Sequence, residues 1–359
     1  MTSESINYAA EPQTTEPGAV SNPRIARMAA EFKREGTPYV SVVIPVYKAE
    51  QILPTLCRRL TDTLDVLESD YEIILVCDGS PDGSWQAMKE LAHVYPRLVV
   101  VNLSRNFGQH YALTAGLDLA SGEWTVVMDC DLQDVPEEIP RLIAEGEKGY
   151  DVVVARRLAR KHKPWKKFTA RLFHKVFTAL SGIKLESAAG SFRVLRKPAR
   201  DALCGMRESY RMFAGLVDWL GFKTVYVDVT HAERYEGESS YDLGRLMRLA
   251  LDGIISFSNR PLYISVGIGI SISLASGLYG IYLIVQGLVL GTPESVPGWL
   301  STMTATAFVG GLILLNQGVL GIYLGRLYNQ AKSRPLYVVE MIIVGRDLAG
   351  KEQSGERHE

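Results

Sequence analysis

Residues 124–134 read WTVVMDCDLQD, an apolar run that ends in carboxylates where an ordinary strand ends in Gly, Pro or Ser. Its β-branched and aromatic residues predict a strand over 124–129. Alternate side chains share a face of a strand, so Asp129 and Asp131 point together and Cys130 points away. If the extended backbone continues, Gln133 joins them. Two carboxylates and an amide oxygen make a hard oxygen site, suited to Mg²⁺ or Mn²⁺ held by few protein ligands and completed by substrate phosphates. A lone DxD is more often a polar turn, but the end of a strand favours the metal. Asp134 reads differently: with Pro136 and Glu137 after it, it has the pattern of a helix N-cap with a capping box.

Working outward, SVVIPV (41–46), YEIILVC (71–77), LVVVNL (98–103) and DVVVA (151–155) are also strand-like, with helical stretches between them. That alternation predicts βαβ units and an α/β fold with a mostly parallel, Rossmann-like sheet. SFRVL (191–195) and FKTVYVDV (222–229) add two further strands. In such sheets ligands bind outside the carboxyl ends of the strands. The polar motifs fall there: Pro45-Val46-Tyr47 after the first strand, CDGSPDGS with Asp78 after the second, and Asp129 to Gln133 after the fourth. Asp78 is either a turn-former or an acceptor for a nucleotide base. Tyr47 is either an ordinary strand-end aromatic or a stacking face for that base. No GxGxxG follows the first strand and no GxxxxGK[ST] occurs, so dinucleotide and P-loop readings lack support.

The 359 residues carry 39 Lys and Arg against 40 Asp and Glu, and a net charge of -1 makes no global case for nucleic acid. Cys57, Cys77, Cys130 and Cys204 form no CxxC pair and fit reduced thiols facing a cytosol. Residues 1–36 lack the apolar core of a signal peptide and read as a mobile leader, with a short helix around Arg24 to Lys33. A catalytic domain is expected over 37–240. KHKPWKKFTARLFHKVFTAL (161–180) and YDLGRLMRLALDGIISFS (241–258) have apolar residues at helical spacing. Periodicity alone leaves open whether they pack on the core or lie in a membrane interface.

The segments that follow favour the interface. Leu262 to Leu290 and Ser301 to Gly325 contain no charged side chain, and each exceeds the roughly 20 residues needed to cross a bilayer. A juxtamembrane helix over 241–260, a transmembrane hairpin over 261–328 and a tail over 329–359 are expected. The connecting GTPESVPGW has no Lys or Arg, whereas Arg260, Arg326, Lys332 and Arg334 flank the spans. The positive-inside rule therefore places the loop outside and both termini in the cytoplasm.

Together these motifs resemble the family-2 glycosyltransferases of GT-A fold, and within them the polyprenyl-phosphate glycosyltransferases. SVVIPVYKAE, EIILVCDGSPDGS, LSRNFGQHYALTAGLDLASGEWTVVMDCDLQDVPEEIP, GSFRVL and HAERYEGESSYDLGRLMRLALDGIISFSNRPL occur in that family's order. RNFGQH, HAER and GIYLGRLYNQAKSRP look similar to bacterial enzymes that modify lipid A or O-antigen. These include the undecaprenyl-phosphate formamido-arabinose transferases; the dolichol-phosphate mannose synthases belong to the same wider group.

The resemblance implies metal-dependent, inverting transfer of a sugar from a nucleotide-sugar to polyprenyl phosphate, of undecaprenyl type, at the cytoplasmic face of a bacterial inner membrane. It implies that Pro45, Val46, Tyr47, Glu50, Val76, Asp78, Met128, Asp129, Cys130 and Asp131 line the donor pocket. Asp129, Asp131 and Gln133 would hold Mg²⁺ or Mn²⁺, and Asp129, Asp131 and Arg157 would be catalytic. Arg157, Lys167, Arg171, Arg234 and Ser239 would meet the acceptor phosphate, and a homotetramer is implied. Two positions depart from the pattern. Cys77 replaces the first acidic residue of DDGS, and Ser240 replaces a lysine expected after Ser239, removing a phosphate contact. A processive polysaccharide synthase would carry QxxRW and more spans, and neither is found. A noncatalytic membrane scaffold is opposed by the intact Asp129, Asp131, Gln133 and Arg157.

Overall fold

The expected strands assemble into one eight-stranded sheet, and their direction in it decides where a ligand can sit. The computed structural model describes residues 37–157, 178, 180, 189–230, 255, 258–290 and 298–346. The strands are β1 (Val40–Val46), β2 (Tyr71–Cys77), β3 (Leu98–Leu103), β4 (Trp124–Val127), β5 (Val152–Arg157), β6 (Ala189–Arg196), β7 (Thr224–Val229) and β8 (Val339–Val344). Their order is β7-β5-β6-β4-β1-β2-β3-β8. β1 runs parallel to β2 and β4, β2 to β3, and β5 to β7; β6 and β8 run against their neighbours. The carboxyl ends of β1 to β5 and β7 therefore lie along one edge.

All seven residues of β1 and of β2 are buried. That explains why both read as continuous apolar runs: each strand is covered on both faces. Val42 and Ile44 join Leu53, Leu56 and Leu60 of α1 (Leu53–Asp65), in a layer that also takes in Met88 of α2 (Ser84–Val94) and Ile139 and Leu142 of α4 (Ile139–Glu147). Val43 faces the other way, toward Ala112 and Leu113 of α3 (Gln109–Leu119), with α5 (Lys197–Gly205) and α6 (Phe213–Leu220) beside it. The approach of α3 is close: a Cβ on Gly116 would stand 2.3 Å from Val43 Cγ1. At the amino-terminal edge the buried Glu72 accepts hydrogen bonds from Ser41 Oγ (2.6 Å), Ser121 N–H (2.9 Å) and Ser121 Oγ (2.8 Å). Shared acceptance by a carboxylate offsets much of its desolvation.

Two expectations need correction. The fourth strand ends at Val127, two residues short of Asp129, because the chain turns over Cys130 and Asp131 and Leu132 adopts φ 57 with its side chain buried. The capping box is not formed. The 3-10 turn Pro136–Glu138 has Val135 as its N-cap, without a side-chain cap, and the Glu137 carboxylate is held by Arg59 Nε and Nη2 at 2.8 and 2.5 Å. Asp134 is buried and accepts the Asp129 N–H instead (3.3 Å).

α7 (Arg260–Leu290) and α8 (Gly298–Ala331) are roughly 45 to 50 Å long, ample for a hydrocarbon core of about 30 Å. None of the most apolar stretch of either helix is buried, so they are not core helices of the α/β domain. The expected tail after them contains β8, which pairs antiparallel with β3. Asp118 of α3 fastens this return. Its buried carboxylate takes a bidentate pair from Arg207 (2.8 and 2.9 Å) and the Tyr337 hydroxyl (2.5 Å). Burial and the adjoining Asp118 push the Tyr337 hydroxyl far up, so it stays a protonated donor. Asp118→Ala leaves Arg207 and Tyr337 without their acceptor and is expected to destabilise the protein by about 3 kcal/mol, read as a lowered thermal midpoint in detergent.

Candidate active site

The carboxyl edge gathers the segments that follow β1, β2, β3 and β4. After β1, Lys48 takes φ 52 and the chain folds over the start of α2. Lys48 N–H donates to Ser80 Oγ (2.8 Å) and Ala49 N–H to Ser84 Oγ (3.0 Å). Asp82 accepts Ser80 Oγ (2.5 Å), Ser84 Oγ (2.7 Å), Ser84 N–H (3.2 Å) and Glu50 N–H (3.4 Å). Burial alone would raise the Asp82 carboxyl, but these donors outweigh it and hold it below its ordinary range. Glu50 in turn accepts the Gly83 N–H at the head of α2 (3.0 Å). The second half of CDGSPDGS is thus a clasp between two loops, and Glu50 belongs to it.

Among the expected donor-site residues, Tyr47 is 45% exposed at the edge, free to offer a ring face, with Lys48 Nζ 5.7 Å from its centroid. Pro45, Val46, Val76 and Met128 have buried side chains, so main chain is what they present there. Asp78 is buried, and its carboxylate accepts the N–H groups of Phe107 (2.8 Å) and Gly108 (2.9 Å). These bonds serve the structural reading of Asp78. Gly79 has φ +55, and a Cβ there would lie 2.4 Å from Arg105 C and Asn106 N. The SRNFG loop is therefore seated directly on the DGS turn, a contact that the motifs read separately did not reveal.

Asp129 lies where three elements converge. Its Oδ1 accepts Gln109 Nε2 of α3 (2.7 Å) and its Oδ2 accepts Ser191 Oγ of β6 (2.7 Å). Asp131 Oδ1 accepts the Gln133 N–H (3.1 Å), which folds the chain back toward that carboxylate. The Cys130 sulfur meets the Tyr47 main chain, and burial pushes its thiol up to about 11, so it is no thiolate nucleophile at neutral pH. Among the described residues no three His, Cys, Asp or Glu side chains form a metal cage. Two carboxylates with one amide oxygen still fit a divalent cation that draws its remaining ligands from a diphosphate.

Arg157 closes β5 opposite Val229, while the neighbouring Arg156 is paired with Asp228 (2.6 Å). The side chain of Arg157 lies outside the described residues. So do Lys167, Arg171, Arg234, Ser239 and Ser240, the leader, and nearly all of both amphipathic segments. Gln109, Ser191 and Asp82 were not identified as site residues from the sequence. Ser191 was within reach by register: β4 pairs Val127 with Arg193, and two more residues bring 129 opposite 191.

Comparison with known proteins adds one family match and three relatives. Residues 41–203 match the family described as Glycosyl transferase family 2. An uncharacterized glycosyltransferase of Synechocystis is 40% identical over 301 residues, 84% of this chain and 94% of its own. The SfII prophage-derived bactoprenol glucosyl transferase of Shigella flexneri is 36% identical over 84% of this chain and 97% of its own. The undecaprenyl-phosphate 4-deoxy-4-formamido-L-arabinose transferase of Proteus mirabilis is 34% identical over 85% of this chain and 94% of its own. Independently of these likenesses, Gly79→Ala forces a side chain into positive φ against the 105–106 backbone. It is expected to cost about 1–3 kcal/mol from backbone strain alone, measured as a loss of unfolding free energy relative to wild type.

Proposed function

The chain belongs to glycosyl transferase family 2, and on that premise we propose that it transfers a sugar from a nucleotide-sugar to polyprenyl phosphate, of undecaprenyl type, with inversion at the anomeric carbon. One observation carries the reading. The edge that gathers Tyr47, Asp78 and Asp129 is the edge at which β7 ends ahead of the apolar helices. It is also the edge at which the chain returns into β8, where Ser104 N–H donates to Val338 O (3.0 Å). An acceptor phosphate displayed at a bilayer surface would meet this edge. The acceptors named for the Shigella and Proteus relatives support the same class.

A phosphate monoester is largely ionised near neutral pH, so its oxygen attacks without a strong general base. What remains for the protein is positioning and control of charge. Asp129, Asp131 and Gln133 would hold Mg²⁺ or Mn²⁺, which when bound supplies Lewis-acid stabilisation of the departing nucleoside diphosphate. Tyr47 offers the base a stacking face, with Asp78 beneath the pocket and Glu50 shaping its rim through Gly83. The main chain of Pro45, Val46, Val76, Met128 and Cys130 completes the donor wall. Arg157, Lys167, Arg171, Arg234 and Ser239 would draw in the acceptor phosphate against repulsion from the donor.

β7 and β8 share one sheet, so the chain between them crosses a bilayer an even number of times. Two crossings by α7 and α8 satisfy this, and the flanking Arg260, Arg326, Lys332 and Arg334 favour a cytoplasmic catalytic domain. A homotetramer in the bacterial inner membrane belongs to the same proposal. The test incubates membranes containing the protein with undecaprenyl phosphate, Mn²⁺ or Mg²⁺, and a panel of radiolabelled nucleotide-sugars. One donor is expected to label the lipid, and Asp131→Ala is expected to lower the product about 100-fold or more. No labelled lipid from any donor, or equal product from the variant, would contradict the proposal.

A further inference from the structure

The Asp129 carboxylate is held at both oxygens by neutral side chains, each at 2.7 Å, from elements distant in sequence. Ser191 arrives by strand register. β6 runs antiparallel to β4 with Val126 opposite Val194 and Val127 opposite Arg193. Extending that pairing past the end of β4 sets Ser191 across from Asp129, and directly opposed residues point to the same face.

Gln109 arrives by a different route, from the first turn of α3, and that turn is fixed independently of Asp129. Gly108, at its N-cap, has φ 112, and its N–H, with that of Phe107, is bound by Asp78. Tyr111, one residue past His110, donates its hydroxyl to Ser209 O (2.6 Å). Ser209 N–H in turn donates to Gln330 Oε1 of α8 (2.7 Å), and Arg326 of α8 lies over the Tyr210 ring. The Gln109 side chain therefore leaves from a backbone pinned to the DGS turn on one side and to the second long helix on the other.

The terminal torsion of an aspartate is broad, so an unrestrained carboxylate samples many orientations. One donor on each oxygen fixes the plane of the group. We propose that Gln109 and Ser191 are positioning residues that aim the Asp129 carboxylate for divalent-cation binding. This rests on the reading of Asp129 as a metal ligand. Outer partners that orient a metal ligand contribute roughly 10–100-fold to affinity, and a fixed supporting turn is what lets such a partner act.

The test uses the full chain purified in detergent, with free Mn²⁺ followed by electron paramagnetic resonance during titration, alone and with UDP or GDP. Gln109→Ala and Ser191→Ala are expected to bind Mn²⁺ about 10-fold more weakly than wild type with unchanged melting temperatures, and Ser191→Thr, which keeps the hydroxyl, to bind like wild type. Asp129→Ala serves as the reference for loss of the site. If wild type and Asp129→Ala bind alike, the metal reading of Asp129 falls and the inference falls with it. If Asp129→Ala loses binding but Gln109→Ala and Ser191→Ala bind as well as wild type, or more tightly, the positioning role alone is overturned. A fall in melting temperature that accounts for the weakened binding, or Ser191→Thr no better than Ser191→Ala, overturns it in favour of a purely structural role.

Discussion

Parallel pairing of β1 with β2 on one side and β4 on the other is the constraint on which the rest depends. It sends the carboxyl ends of three buried strands to one edge. Residues just past those ends, Tyr47, Asp78 and Asp129, are then gathered at that edge across some eighty positions of sequence. Parallel strands need crossovers, so helices cover both faces and the strands bury both of theirs. The polar groups are left only the two edges. At the amino edge Glu72, Ser41 and Ser121 satisfy one another and close the sheet. At the carboxyl edge the loops carry oxygen acceptors toward a common space, and that asymmetry is what makes this edge the candidate site.

The strands of the central sheet were legible because burial on both faces writes itself as an unbroken apolar run, as in YEIILVC, whose bounds the structure reproduces. Asp129 and Asp131 stand out as candidates because carboxylates at the end of such a run are costly without a use. What was not legible depends on contacts across the chain. Asp134 followed by Glu137 has the local form of a capping box, yet Arg59 of α1 holds Glu137, a partner 78 positions away. Gln109 and Ser191 carry no signal of their own. Their relation to Asp129 exists only once α3 and β6 have been placed. β8 was hidden because it follows two long apolar helices, where a tail is the natural expectation.

That eighth strand also gives the helices their meaning. A membrane anchor ending in a free tail would leave the orientation of the catalytic domain to the linker before it. Here the chain comes back and is bound twice, by β8 against β3 and by Tyr337 and Arg207 on Asp118. The end of α8 is seated as well: Gln330 bonds the main chain of Arg207 and Ser209. The same loop meets α3 through Tyr111, whose first turn holds Asp129 through Gln109. The seating of α8 and the proposed donor site thus meet on one helix, and under the proposed function a polyprenyl phosphate would meet an edge whose distance from the bilayer is set by folded structure.

Photo-crosslinking shows whether a membrane-borne phosphate reacts at the carboxyl edge. A polyprenyl phosphate bearing a photoreactive group on the isoprene unit next to the phosphate would be irradiated with the purified protein in nanodiscs. The predicted result is labelling of peptides at the carboxyl edge, around residues 105–109 or 129–133, suppressed by excess undecaprenyl phosphate. Labelling confined to the opposite edge around Ser41, Glu72 and Ser121, or labelling that undecaprenyl phosphate does not suppress, would contradict it.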